Sequence, residues 1–178
     1  MNRVVPLMIG FCLFAQSSEG QAGRVRHHST SYDPSEIEWS KQRGSATLTG
    51  TATWTFRGHS VTCASGSVHL FPRSRYSDET MAKALGSMDR ASVTLDKVAG
   101  FYDSDPRELR DARTTACDSR GAFQFSDLPA GEYYVFANIE VISRMHIVGG
   151  ANSTDRHGII HMQRIRLSDG EKIPVQFN

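Results

Sequence analysis

Residues 117–136 read Cys-Asp-Ser-Arg-Gly-Ala-Phe-Gln-Phe-Ser-Asp-Leu-Pro-Ala-Gly-Glu-Tyr-Tyr-Val-Phe, and this stretch decides the fold. Asp118 to Gly121 forms a polar turn: Asp can bond its own backbone, and Gly is free to adopt positive φ. Residues 122–125 are a short aromatic strand. Leu128-Pro129-Ala130-Gly131 is a second tight turn, and residues 133–141 are a long strand of β-branched and aromatic residues. In that strand Tyr133, Val135, Ala137, Ile139 and Val141 share one face. Tyr134, Phe136, Asn138 and Glu140 share the other, which begins aromatic and ends polar, as in a strand leaving the edge of a sandwich.

Upstream, residues 46–56 alternate with period two, placing Ala46, Leu48, Ala52, Trp54 and Phe56 on one face and threonines opposite. Gly50 within this strand marks a bulge or a close approach. Residues 61–63 and 67–72 read as a hairpin around Ala64-Ser65-Gly66. Residues 77–86 then change to helical spacing, with Ser77 as cap, acidic residues in the first turn, and Met81, Ala84 and Leu85 on one face. A polar tail follows through Pro106, making residues 76–111 a helical and loop insertion. Downstream, residues 149–158 are a Gly-rich exposed connection. Residues 159–167 are a strand, 168–171 a hairpin turn and 172–177 a closing strand. Recurrent short strands with little helix predict a mainly β, antiparallel sandwich with a short helical insertion over residues 44–178.

With 20 Lys+Arg against 19 Asp+Glu, the 178-residue chain has no electrostatic pull toward nucleic acid. One arginine, an apolar run over residues 4–15 and a small-residue exit before Gly23 predict a signal peptide at residues 1–22. The other reading is a retained anchor. Bulky Phe11 before Cys12 argues against lipidation. Export would make the protein periplasmic or secreted, without a stable membrane span after cleavage. Cys63 and Cys117 would then enter an oxidising compartment, where an even pair favours a disulfide over two separate thiols. Residues 23–43 read as a flexible arm whose end is pinned by Ile37 and Trp39.

The segment from Asp118 to Val135 resembles the transthyretin-like (prealbumin-like) modules described as carboxypeptidase regulatory-like domains. Their signature is matched by Asp118, Gly121, Phe123, Phe125, Leu128, Pro129, Gly131 and Tyr133. The strand at 46–53 and the Val68-His69-Leu70 pattern fit the same scheme, which the insertion at 76–111 interrupts. The resemblance implies a transthyretin-like sandwich of a small exported bacterial type. Such modules serve as spacers, adhesive domains and companions of enzymes, so the resemblance specifies fold rather than activity.

Motifs for chemistry are sparse. There is no His-Glu-x-x-His, no Gly-x-Ser-x-Gly, no Gly-rich phosphate loop and no Tyr-Arg-Gly-Ser tail of the hydroxyisourate hydrolase branch. Among seven histidines, His59, His157 and His161 are candidates for a composite metal site. Asp103, Asp105, Glu108 and Asp111 invite a calcium reading but lack the glycine and ligand order of an EF-hand, so a solvated acidic loop is expected. Trp54, Phe71, Phe123, Phe125, Tyr133 and Phe136 read as core, whereas Trp39 and Tyr76 fall outside the alternation and are candidates for an exposed contact surface. The expected function is a non-catalytic envelope module without a cofactor, contacting a protein or a glycan. The alternative is a metal-binding protein or metal-dependent hydrolase using the loop histidines.

Overall fold

The computed structural model describes residues 28–98, 105–146 and 152–178, so the expected signal peptide lies outside the described residues. The strands are β1 (Ala46–Phe56), β2 (His59–Thr62), β3 (Ser67–Pro72), β4 (Arg90–Thr94), β5 (Arg113–Ala116), β6 (Ala122–Leu128), β7 (Gly131–His146), β8 (Asn152–Leu167) and β9 (Lys172–Phe177). The helices are α1 (Arg75–Leu85) and α2 (Pro106–Asp111), and Pro34–Lys41 forms a 3-10 helix. One sheet is built on β1, which pairs with β2, β6 and β9; the other runs β4-β8-β7-β3-β5. The result is a β-sandwich with a small helical part, antiparallel except where β9 runs parallel to β1 from Thr47↔Lys172 to Ala52↔Phe177.

The alternation read from the sequence places the core. Leu48 and Ala52 of β1, Val68 and Leu70 of β3, and Tyr133, Val135, Ala137 and Ile139 of β7 are buried between the sheets with Phe123 and Phe125. Gly50 is the close approach anticipated: a Cβ there would fall 2.7 Å from the Val175 carbonyl oxygen. Both signature turns are formed. The Asp118 carboxylate accepts from the Arg120 and Ala122 amides at 2.8 Å, and Gly121 has φ +80. The Tyr133 hydroxyl donates to the Pro129 carbonyl at 2.9 Å.

Several local expectations are corrected. β2 pairs with β1, not β3, because Cys63–Ser65 is a 3-10 turn that carries the chain into the second sheet. Residues 168–171 likewise cross between sheets instead of closing a hairpin, since β8 and β9 belong to different sheets. The helix begins earlier than read: Ser74 is its cap, and Ser77 is the reciprocal partner in a capping box. The polar tail supplies β4, which pairs with β8. β8 starts at Asn152, so the part of the expected loop at 152–158 is strand and Gly158 pairs with Glu140. β7 is interior to its sheet, not an edge, and its second face is covered at Tyr134 by α1. There Met81 and Leu85 pack with Tyr134, Ile160 and Met162 in a second core.

From His28 onward the expected flexible arm is docked. The Ser29 and Thr30 amides donate to the Glu79 carboxylate at 2.7 and 2.8 Å, and Tyr32, Ile37 and Tyr76 form a buried cluster. Tyr76 is therefore not an exposed contact; its hydroxyl accepts from the Asp105 amide at 2.6 Å. The acidic segment also departs from a solvated loop. Asp105 caps α2, Asp111 accepts from the Tyr32 hydroxyl at 2.5 Å, and Glu108 is buried; Asp103 lies outside the described residues. Burial, assisted by the Asp105 charge, pushes the Glu108 carboxyl up from 4.5 to about 7. Its Oε1 has no hydrogen-bond partner among the described residues.

Cys63 and Cys117 are disulfide-bonded with a Cα separation of 5.6 Å, across 54 positions of sequence. Cys63 follows β2 and precedes β3, while Cys117 follows β5 and precedes β6, so the bond ties together two passages between the sheets. Removing it by the C63A/C117A pair is expected to cost about 4 kcal/mol on the loop-entropy scale, measured by urea unfolding. Glu108 gives a second expectation. The folded carboxyl keeps its proton above the pH where the unfolded one releases it, so stability falls as pH rises from 4.5 to about 7. Glu108→Gln should remove that loss, worth about 3 kcal/mol, so denaturation profiles of the two proteins should diverge with rising pH.

Candidate functional site

Alternation along β7 carries Tyr134, Phe136, Asn138, Glu140 and Ile142 to the outer face of the five-stranded sheet, opposite the main core. Ser67, His69 and Phe71 of β3 share that face, with His69 level with Phe136 and Phe71 with Tyr134. Beyond α1 the face carries Phe71 and Phe136, partly buried and packed against the second core. The Phe71 and Phe136 rings meet edge-on at 6.1 Å, and His69 lies 6.0 Å from Phe71 and 6.5 Å from Phe136. Both phenylalanines are half-buried, not core in the full sense. His69 is fixed by Ser67 Oγ at 2.8 Å from Nε2 and Thr114 Oγ1 at 3.0 Å from Nδ1. Burial holds its pKa below the ordinary histidine value, so the ring is neutral at neutral pH.

Next to the aromatic group a cavity of about 350 Å³ is lined by Gly66, Ser67, Asn138, Glu140 and Ile142. Its wall exists because the disulfide-bearing turn presses onto β7. The Gly66 amide donates to the Cys63 carbonyl at 2.8 Å, and a Cβ on Gly66 would lie 2.6 Å from the Asn138 carbonyl oxygen. Asn138 Nδ2 donates to Glu140 Oε1 at 2.7 Å, and the Arg156 guanidinium stands 3.5 Å from Glu140 Oε2. Asn138 Oδ1 is buried without a partner among the described residues. A buried acceptor left unpaired costs about 1–3 kcal/mol, so it calls for a partner that the chain does not supply.

A second cleft, of about 330 Å³, lies beside Trp39 with Arg73, Arg75, Asp78, Gly131 and Glu132 on its walls. Its polar groups are mutually satisfied. Arg73 donates to Asp78 at 2.9 Å and to Glu132 at 2.5 Å; Tyr134 donates to Asp78 at 2.6 Å, and Arg75 to Glu36 at 2.6 Å. Trp39 packs edge-on against Tyr133 at 5.1 Å, and a Cβ on Gly131 would overlap its ring. This is a clasp that holds the N-terminal segment. Trp39 is thus half-buried packing more than a free contact surface.

The histidine constellation is not assembled. His161 is buried and crosslinks the sheets: Nε2 lies 3.2 Å from the Thr53 carbonyl and Nδ1 2.8 Å from Ser92 Oγ, while its ring stacks on Phe177. His157 lies 2.8 Å from Asp155 Oδ2 and packs on Phe56, and His59 is an exposed residue of β2. Among the described residues no three His, Cys, Asp or Glu side chains are grouped to hold a metal ion. The signature residues all serve turns and core. The residues that carry the site, Asn138 and Glu140, were visible as the polar end of the second face of β7; their importance was hidden because that face was assigned to a departing edge.

No helix among the described residues is long and apolar enough to cross a membrane. The chain is thus defined as a disulfide-tied, mainly antiparallel β-sandwich with a helical insertion. No family model and no curated protein matches it. Its fold is similar to the crystal structure of a candidate carbohydrate binding protein from Pseudomonas aeruginosa, with 20% identity and a TM-score of 0.60 over 83% of this chain and 98% of the other.

Substituting Asn138→Leu removes the orphaned acceptor and leaves the cavity wall in place. The variant is expected to be more stable by about 1 kcal/mol, an increase of a few degrees in melting temperature by calorimetry. A less stable variant would mean that the acceptor is already satisfied in solution or that the lost Asn138–Glu140 bond outweighs it.

Proposed function

We propose that the protein is a non-catalytic exported binding module and that the face around Phe71, Phe136, His69, Asn138 and Glu140 holds a glycan. The observation that carries this reading is an unpaired buried acceptor beside half-buried aromatic rings on a rigid sheet. Sugar rings offer apolar faces to aromatic side chains and hydroxyl donors to carboxylates and amides, and such pockets place a few polar groups among apolar walls. The carbohydrate role ascribed to the Pseudomonas aeruginosa protein supports the same reading. A buried disulfide supports a periplasmic or secreted location, where thiols are oxidised. The turns built by Asp118, Gly121 and Pro129 support membership of the transthyretin-like modules.

The test is a glycan array followed by calorimetric titration of the best ligand. Phe136→Ala and His69→Ala are expected to weaken binding about tenfold each, with folding unchanged by circular dichroism. Turnover of a glycan or ester that is lost on substituting Asn138 or Glu140 would overturn the non-catalytic reading. Absence of binding to every glycan would overturn the ligand class.

A further inference from the structure

At the joint between α2 and the N-terminal segment lies a carboxyl without a partner. Glu108 is buried, and its Oε1 makes no hydrogen bond among the described residues. It stands one helical turn after Asp105, the cap of α2, and one turn before Asp111. Asp111 accepts from the Tyr32 hydroxyl at 2.5 Å, and the Arg107 guanidinium lies 5.3 Å above the Tyr32 ring. The Tyr76 hydroxyl accepts from the Asp105 amide. α2 thus braces the cluster of Tyr32, Ile37 and Tyr76 that docks residues 28–37. A buried carboxyl with an unpaired oxygen is tolerated while neutral. Ionised, it would lose its water, meet the Asp105 charge, and act on the Tyr32 hydroxyl already committed to Asp111.

We infer that Glu108 is a proton latch for the N-terminal segment: its neutral form lets residues 28–37 dock, and its ionised form drives them off so that water reaches the carboxylate. This inference is independent of the glycan reading. Trp39 is clasped separately on Tyr133 and Gly131, which limits release to the residues before it. Most other charges at the joint are paired where they stand. Arg107 donates to Asp105 at 2.7 Å, Arg75 to Glu36 at 2.6 Å, and Asp33 caps the 3-10 helix. Glu79 accepts from the Ser29 and Thr30 amides and is bridged by Lys83. Lys41, Arg110 and Arg113 line a cavity at the Asp111 end, and β3, on which α2 rests, carries His69, bonded to Ser67 and Thr114. His28 stacks on Tyr76 at 4.1 Å and lies 4.0 Å from Glu79, so it is a competing proton site within the joint. The released Glu108 carboxyl has its ordinary value of 4.5 and the docked one about 7. Docking is therefore strongest below 4.5, weakens as pH rises through that interval, and is weakest above about 7.

Native-state hydrogen exchange of the full chain, corrected for the intrinsic pH dependence of exchange, reads the latch at the Ser29 and Thr30 amides. Their opening should rise on the order of fifty-fold between about pH 5 and about pH 8. That opening should be insensitive to low urea, because freeing a short segment exposes little surface, whereas the β1 and β7 amides open with the whole domain and respond to urea. Glu108→Gln keeps the shape and removes the charge, so the segment should stay protected at both pH values. Equal protection of the wild-type segment at both pH values would overturn the inference. So would segment amides that follow β1 and β7 in urea, a result the wild-type chain supplies by itself. A pH dependence that survives Glu108→Gln and disappears in His28→Gln would also overturn it and move the switch to His28.

Discussion

The structure depends on how the chain passes between its two sheets. β1 to β2 stays in one layer, β3 lies in the other, and β5 to β6 returns. At each passage the backbone must turn sharply while its polar groups stay paired, because a buried crossing has no water to help. The Cys63–Cys117 bond ties the first two passages, and the Asp118 carboxylate and Gly121 shape the second. The Ala52 amide donates to the Gly121 carbonyl at 3.0 Å, which anchors this turn to β1. With these passages fixed, the registers of β3 against β7 and of β6 against β1 follow, and with them the separation of core and outer faces.

The same passage builds the candidate site. Gly66 closes the disulfide-bearing turn against the Asn138 backbone, so the wall of the cavity comes from the element that secures the fold. The two clefts differ in their polar bookkeeping. At Trp39 every strong donor of Arg73 has a carboxylate, as expected of a structural clasp. At Asn138 an acceptor is left over. A group of this kind costs stability, and functional sites are where such costs persist.

Much of the architecture was legible. The period-two alternation in residues 46–56 and 133–141 identified strands and their buried faces, because a pleated strand obliges successive side chains to point to opposite sides. Asp118, Gly121 and Pro129 identified turns through short-range backbone chemistry. Less was legible where the decision lay elsewhere in the chain. Ser77 reads as a cap as well as Ser74 does; the choice falls on Ser74 because its backbone is extended at the end of β3. β4 is short and polar, and becomes a strand because β8 offers it an unpaired edge. Glu108 reads as solvated and is buried because α2 packs it down.

The sequence by itself determined the class of fold, the turns at Asp118–Gly121 and Leu128–Gly131, and the core faces of β1 and β7, and it favoured a Cys63–Cys117 pair. Local periodicity and turn chemistry act within a few residues, and two cysteines in the body allow only one pair. Tertiary structure alone decided which strands share a sheet, the docking of residues 28–41, and the dispersal of His59, His157 and His161. It also decided that Asn138 Oδ1 would lack a partner among the described residues. Those outcomes depend on contacts between residues far apart in sequence, which periodicity does not encode.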